Sequence, residues 1–226
     1  MLNLAAVALA PVLICALYIF IRDKYEKEPI GLLVTGVLYG AFATVPIVHT
    51  QNFVTLFEPS GIWILETFYL TFIVASLVEE GIKYVILFFL VWHNRNFNEP
   101  FDGIVYSAFI ALGFAAAENF LYVFNPDLGG MQTGIARAFF SVPGHALFGV
   151  AMGYYFALMK YEPENHLKLL ALSFFVPWLL HGTYNFILHM RMPYMMALFA
   201  IFVAYLWVVN FKRMRIHLAD SPFRTG

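Results

Sequence analysis

The chain has 226 residues, of which 62% are hydrophobic and only 12% charged, with a formal net charge of −1. Soluble domains carry about 25% charged residues, so this chain cannot solvate the outside of a globule, and its near-neutral balance excludes a nucleic acid or other polyanion as partner. The one cysteine, Cys15, sits in an apolar run, which excludes an internal disulfide and argues against redox chemistry.

A membrane-crossing helix needs about 20 mostly apolar residues. Seven stretches qualify, near 3–21, 30–50, 72–92, 102–124, 136–158, 167–189 and 193–211. The first has no Lys or Arg ahead of it, so it is expected to be a retained membrane helix rather than a signal peptide. Residues 61–71 read as a helical or interfacial lead-in to the third stretch. Polar and turn-forming residues fill the connectors at 22–29, 58–61, 93–100, 125–130, 161–166 and 191–193. The expected fold is an all-α, polytopic transmembrane helix bundle. It forms a single domain over residues 1–226, with a motif-bearing core at 72–189.

Basic residues set the orientation, because cytoplasmic loops retain Lys and Arg. With the N-terminus outside, the cytoplasmic side collects Arg22, Lys24, Lys27, Arg95, Lys160, Lys168, Lys212, Arg213, Arg215 and Arg224, and the outer side only Arg191. Seven spans then leave the C-terminus in the cytoplasm.

An intramembrane charge costs roughly 2.5–3.5 kcal/mol on insertion scales. The third stretch nevertheless carries Glu79, Glu80 and Lys83, the fourth Glu118 and Asn119, the fifth Arg137 and His145, and the sixth His181 and Asn185. Lys83 follows Glu79 by four positions and Glu80 by three, so it can pair with either. His181 and Asn185 share a face. His145, Gly149 and Gly153 form a stripe beside which another helix can approach closely. Counted from the outer span ends, Glu79, Glu118, His145 and His181 all lie roughly 9–14 Å deep at 1.5 Å per residue. Four helices would therefore place polar groups in one layer of the outer half-bilayer.

Plainer roles account for several of these residues. A lone membrane histidine such as His145 often serves only as a helix–helix hydrogen-bond donor, and an EExxK cluster can be an ion-pair knot. Arg137 reads as a snorkelling or pairing residue, Glu66 as solvated at the outer interface, and Tyr122 and Trp178 as packing or interface anchors. His49 and His189 lie near span ends. There is no HExxH, no GxSG serine and no mid-membrane aspartate. What these roles leave unexplained is two Glu, two His and an Asn at one depth.

Several segments in order resemble the PrsW family of bacterial intramembrane proteases. They are Glu79-Glu80-Gly81-Ile82-Lys83, the run from Asp102-Gly103-Ile104-Val105-Tyr106 to Gly113-Phe114-Ala115-Ala116-Ala117-Glu118-Asn119, His145 with Gly149 and Gly153, and His181-Gly182-Thr183-Tyr184-Asn185. More distantly the chain is similar to CAAX prenyl proteases, with a double-glutamate motif at Glu79-Glu80 and HxxxN at His181/Asn185. Their FxxxH motif is altered here, since Ser141 stands four residues before His145 and Phe140 five. The resemblance implies site-1 cleavage of a single-pass membrane anti-sigma factor near its extracytoplasmic side, by a multi-pass protein of the cell membrane.

The expected catalytic set is Glu79, Glu80, His145, His181 and Asn185, supported by Lys83, Glu118 and Asn119. Glu79 with His145 would activate water, Glu80 and Lys83 would tune it, and His181 and Asn185 would donate to the oxyanion. No cofactor is required in this reading. A zinc site built from Glu79, Glu80, His145 and His181 is the competing one, since zinc accepts both donor types. An ion-coupled transporter is the alternative from another class, because intramembrane Glu and His also mark ion pathways. Against it, the sequence shows no inverted repeat and no paired broken helices.

Overall fold

The structure is a computed structural model describing residues 1–127, 129–190 and 192–224. Arg191, the one outward basic residue of the charge count, lies outside the described residues. Every regular element among the described residues is helical: α1 (Leu2–Arg22), α2 (Ile30–Phe42), α3 (Thr44–Thr55), α4 (Trp63–Phe68), a π-helical segment (Tyr69–Leu77), α5 (Val78–Val91), α6 (Pro100–Val123), α7 (Met131–Phe139), α8 (Ser141–Tyr161), a 3-10 turn (Pro163–Asn165), α9 (His166–His189) and α10 (Pro193–Ala219). Among the described residues, six runs are long and apolar enough to cross a membrane: Leu2–Arg22, Ile30–Thr55, Pro100–Val123, Met131–Tyr161, Pro163–His189 and Pro193–Ala219. Helix is unbroken from α4 through the π segment to α5, a run that carries Glu79, Glu80 and Lys83.

Two stretches expected as single helices are each divided in two, and in both cases a proline explains the break. Proline lacks the N–H that the carbonyl four residues back requires, and its ring crowds that carbonyl. Pro46 stands four residues after Phe42, where α2 ends, and Pro143 four after Phe139, where α7 ends. The second break leaves Arg137 on α7, the short first part of the Met131–Tyr161 run. Pro11 and Pro177 are carried inside α1 and α9 without a break.

The lead-in and the third stretch join through the π segment rather than through regular α-helix. Inside it Ser76 Oγ donates to the Thr71 carbonyl five residues back (2.6 Å), and Trp178 Nε1 of α9 donates to the Phe72 carbonyl (2.7 Å). These side chains take carbonyls out of the regular i→i−4 ladder, a recognised cause of local helix widening. π-turns are frequent at functional sites, and this one leads directly to Glu79.

Helix α6 is the buried centre, with α2 and α8 packed closely against it. Between membrane helices there is little hydrophobic driving force, so close van der Waals fit decides association. A Cβ on Gly153 would lie 2.1 Å from the Gly103 carbonyl oxygen, and one on Gly113 2.1 Å from that of Val37. Both crossings therefore need glycine. The α8 crossing uses the stripe that begins at His145, so α6 is the helix for which that stripe makes room.

Contacts between helix ends give the path. The start of α1 meets the end of α6 and α7 through Ala8–Asn119 and Val7–Gly134. The opposite face gathers the loop after α1, the start of α6 and the end of α10, through Glu28–Tyr106 and Ser221–Glu99. Lys160 at the end of α8 reaches the Phe97 carbonyl on that same face (2.5 Å).

Candidate functional site

The polar residues of the third, fifth and sixth stretches meet. One ligating atom from each of Glu79, Glu80, His145 and His181 lies within 4.8 Å of the others, and all four side chains are buried. Three of them, Glu79, His145 and His181, line a cavity of about 530 Å³, whose wall also includes Glu118, Tyr184 and Asn185. Glu79 lines this cavity and Glu80 does not. The two adjacent carboxylates thus differ in place, since consecutive helical residues point about 100° apart.

Glu80 is the held carboxylate. Lys83 Nζ is 2.6 Å from its Oε1, against 3.7 Å from Glu79 Oε2, so Lys83 chooses Glu80 of its two available partners. The same Oε1 lies 2.9 Å from His181 Nδ1. The Lys83 ammonium also sits 4.5 Å from the centre of the Phe114 ring, a cation–π contact that helps compensate its burial. Glu79 is the freer one. Gln51 of α3 donates to its Oε1 (3.2 Å), and its Oε2 is buried without a hydrogen bond, 3.9 Å from His181 Nε2.

His145 is fixed from the other side. Its Nε2 is 3.0 Å from Glu118 Oε2, and its Nδ1 is buried without a partner. The two imidazoles stand edge to face with centres 5.3 Å apart, and His181 stacks on Phe148 at 4.7 Å. Each histidine thus has one ring nitrogen on a carboxylate and the other without a hydrogen bond. This is the arrangement by which a neighbouring acid sets the tautomer and orientation of an imidazole whose second nitrogen ligates or accepts.

Asn185 lines the cavity one turn beyond His181, and its side chain makes no hydrogen bond among the described residues. Asn119 stands outside the cluster. It donates to the Ala8 carbonyl (2.9 Å) and accepts from Arg137 Nε (2.6 Å).

Three contributors escape a sequence reading. Gln51 belongs to a polar run at the end of a span, where such residues are ordinary. Arg137 reads as a snorkelling residue, yet it bonds Glu118 (2.6 Å) and lines the cavity. Tyr184 lies between His181 and Asn185, and its hydroxyl is buried with no partner at the cavity wall. Its place in the HxxxN motif was visible, but a tyrosine there looks like packing until its hydroxyl is seen to be unpaired.

A family profile described as PrsW family intramembrane metalloprotease matches residues 28–211. A protein named Protease PrsW from Clostridioides difficile (strain 630) is 36% identical over 223 residues, covering 97% of this chain and 93% of that protein. A Protease PrsW from Geobacillus kaustophilus (strain HTA426) is 37% identical over 201 residues, covering 88% of this chain and 86% of its own length. One from Bacillus subtilis (strain 168) is 31% identical over 216 residues, covering 95% of each. No solved structure matches the chain significantly.

Proposed function

The chain belongs to the PrsW family of intramembrane proteases, and from that premise we propose that it cuts a single-pass membrane protein near the extracytoplasmic side, by site-1-type cleavage. The substrate class, an anti-sigma factor, follows from the family resemblance. The protein is multi-pass, and we place it in the cell membrane with its N-terminus outside and its C-terminus in the cytoplasm. In that orientation the cavity opens in the outer half of the bilayer.

The observation that carries the reading is the pair of carboxylate-held imidazoles beside Glu79 Oε2, which is buried without a hydrogen bond. Glu79 faces the cavity and takes a proton from the attacking water, while Gln51 steadies its other oxygen. His145 Nδ1 accepts a second hydrogen bond from that water. Lys83 neutralises Glu80, so that two adjacent buried carboxylates do not both stand unpaired. Asn185 and Tyr184 reach the cavity with groups able to donate to the developing oxyanion. His181 is less suited to donate than its motif suggests. Its Nδ1 faces the Lys83-paired Glu80 and carries the hydrogen, which leaves Nε2 as an acceptor in the neutral ring.

A metal-assisted version is favoured by a specific observation. Three donor atoms of the cluster, Glu79 Oε2, Glu80 Oε2 and His145 Nδ1, are buried without a hydrogen bond, and zinc accepts carboxylate oxygen and imidazole nitrogen. His145 Nδ1 and His181 Nε2, with an oxygen of Glu79 or Glu80, would hold it, while Glu118 and Glu80 orient the two rings. Bound there, zinc would polarise the scissile carbonyl and make water a better nucleophile at neutral pH.

The test is cleavage of a single-pass membrane substrate by purified protein in liposomes. Glu79→Gln keeps the shape of the side chain and removes its basicity, and should lower the rate by about 10²- to 10⁴-fold. Loss of activity to a strong chelator, with recovery on adding zinc, supports the metal version. Persistence with sub-stoichiometric metal leaves Glu79 and His145 acting alone. An ion-coupled carrier would cut nothing. If folded Glu79→Gln and His145→Ala both cleave at the wild-type rate, the mechanism is wrong.

A further inference from the structure

We infer that Arg137 and Glu118 act as positioning residues that decide which nitrogen of His145 is presented to the reacting atoms. The inference rests on the proteolytic reading of this site, and it gives α7, a helix outside the motif-bearing segments, a part in the chemistry.

The guanidinium of Arg137 is held on three sides. Its Nε donates to Asn119 Oδ1 (2.6 Å), a terminal nitrogen donates to Glu118 Oε2 (2.6 Å), and its plane lies over the Tyr122 ring at 4.1 Å. Asn119 is itself tied to the Ala8 carbonyl of α1 (2.9 Å). Two directional bonds and an aromatic face are what a planar fork supplies and a lysine ammonium does not.

The same oxygen of Glu118 that takes Arg137 also lies 3.0 Å from His145 Nε2. A carboxylate paired with arginine only accepts hydrogen bonds, so His145 Nε2 carries the hydrogen. A neutral imidazole has a single N–H, so Nδ1 is left with a lone pair. That atom is buried without a partner. Whether it holds a water or a metal ion, the site needs this lone pair, and the Arg137–Glu118 pair is what leaves it available. Arg137 also balances the Glu118 charge, so that a further carboxylate can stand in the cavity wall without adding uncompensated negative charge to Glu79.

The test reads the tautomer as well as the rate, using purified full-length protein with ¹⁵N-labelled histidine. The His145 signals are identified by their loss in His145→Gln. Wild type should show His145 protonated at Nε2. Glu118→Leu removes the oxygen that accepts from Nε2 and should let the proton occupy Nδ1 as well, whereas in Glu118→Gln Arg137 would hold the amide oxygen in place of the carboxylate oxygen. Glu118→Leu should also lower kcat by about 10- to 100-fold with KM unchanged, the usual cost of losing a carboxylate behind a functional histidine. Arg137→Lys keeps the charge without the fork and should give a smaller fall, with partial loss of the Nε2-protonated signal. A purely structural role would lower yield and melting temperature and leave both the tautomer and the kcat of the folded fraction at wild-type values, which would overturn the inference. Protonation at Nδ1 in wild type would overturn it too. If Glu118→Leu does not fold, the wild-type spectrum and Arg137→Lys decide the matter. If the spectra switch as expected but wild type cuts no membrane substrate, the proteolytic reading fails while the positioning role stands.

Discussion

Tyr184 is the residue whose substitution best separates function from stability. Its ring packs against Phe148 and Phe199 with centres 5.6 and 4.8 Å away, while its hydroxyl is buried and unpaired. A buried hydroxyl without a partner costs free energy, so removing it is neutral or stabilising when the ring is kept. Tyr184→Phe should therefore unfold at the same or a higher temperature than wild type. If the hydroxyl donates to the oxyanion, kcat should fall by about 10²- to 10³-fold with KM unchanged. An unchanged kcat in the steady-state cleavage assay would remove Tyr184 from the site and leave Asn185 as the candidate donor. Gln51 and Arg137 make the complementary point. Each is an ordinary polar residue in sequence, and only its partner, Glu79 or Glu118, gives it meaning.

At the scale of elements, the loop joining α1 to α2 carries a pH dependence of its own. Burial pushes the Asp23 carboxyl up from 3.8 to about 6. Burial, with the neighbouring Asp102 carboxyl, pushes Glu28 up from 4.5 to about 10. Burial likewise raises Glu99 at the start of α6. A carboxyl raised on folding binds its proton more tightly in the folded chain than in the unfolded one. Its contribution is present below the unfolded value and is lost as pH rises through the folded one. The melting temperature in detergent should therefore fall as pH is raised from about 5 toward 10, with Asp23 acting in the lower part of the window and Glu28 across the upper part. Glu28→Gln, which cannot ionise, should flatten the upper part of the slope. A melting temperature that climbs between about pH 6 and 9 would contradict this assignment. The breaks before Pro46 and Pro143 were within reach of the sequence, because proline's effect is local. The π segment was not, since it depends on Ser76 bonding back five residues and on Trp178 arriving from α9.

For the whole molecule the proposed topology has seven spans, with Trp63–Val91 as the third. The helix-end contacts support it: Arg22, Lys27 and Lys160 all lie near the face that holds Glu28, Glu99 and Ser221, while Ala8, Asn119 and Gly134 meet at the opposite face. An uncrossed third run would put these ends on the wrong sides. Reporter fusions after Asn94 and Lys160 should read cytoplasmic, and one after Asp127 external. A cytoplasmic signal at Asp127 would reverse the orientation and move the cavity to the inner half of the bilayer.

The sequence by itself determined the class of molecule and the chemistry available to it. Apolar runs of span length can only be helices in a bilayer, because every backbone polar group must be satisfied within its own segment. Glu79, Glu80, His145 and His181 are too costly in such runs to be there without partners or a use. The tertiary structure decided the division of labour among them. Lys83 is within reach of both glutamates by spacing alone, and its choice of Glu80 depends on where α6 and α9 place Phe114 and His181 around it. The free nitrogen of each histidine depends on which carboxylate another helix brings beside it. Helical periodicity fixes neighbours along one helix, whereas hydrogen bonds between helices depend on crossings set by contacts such as Gly153 against Gly103, tens of residues apart in the chain.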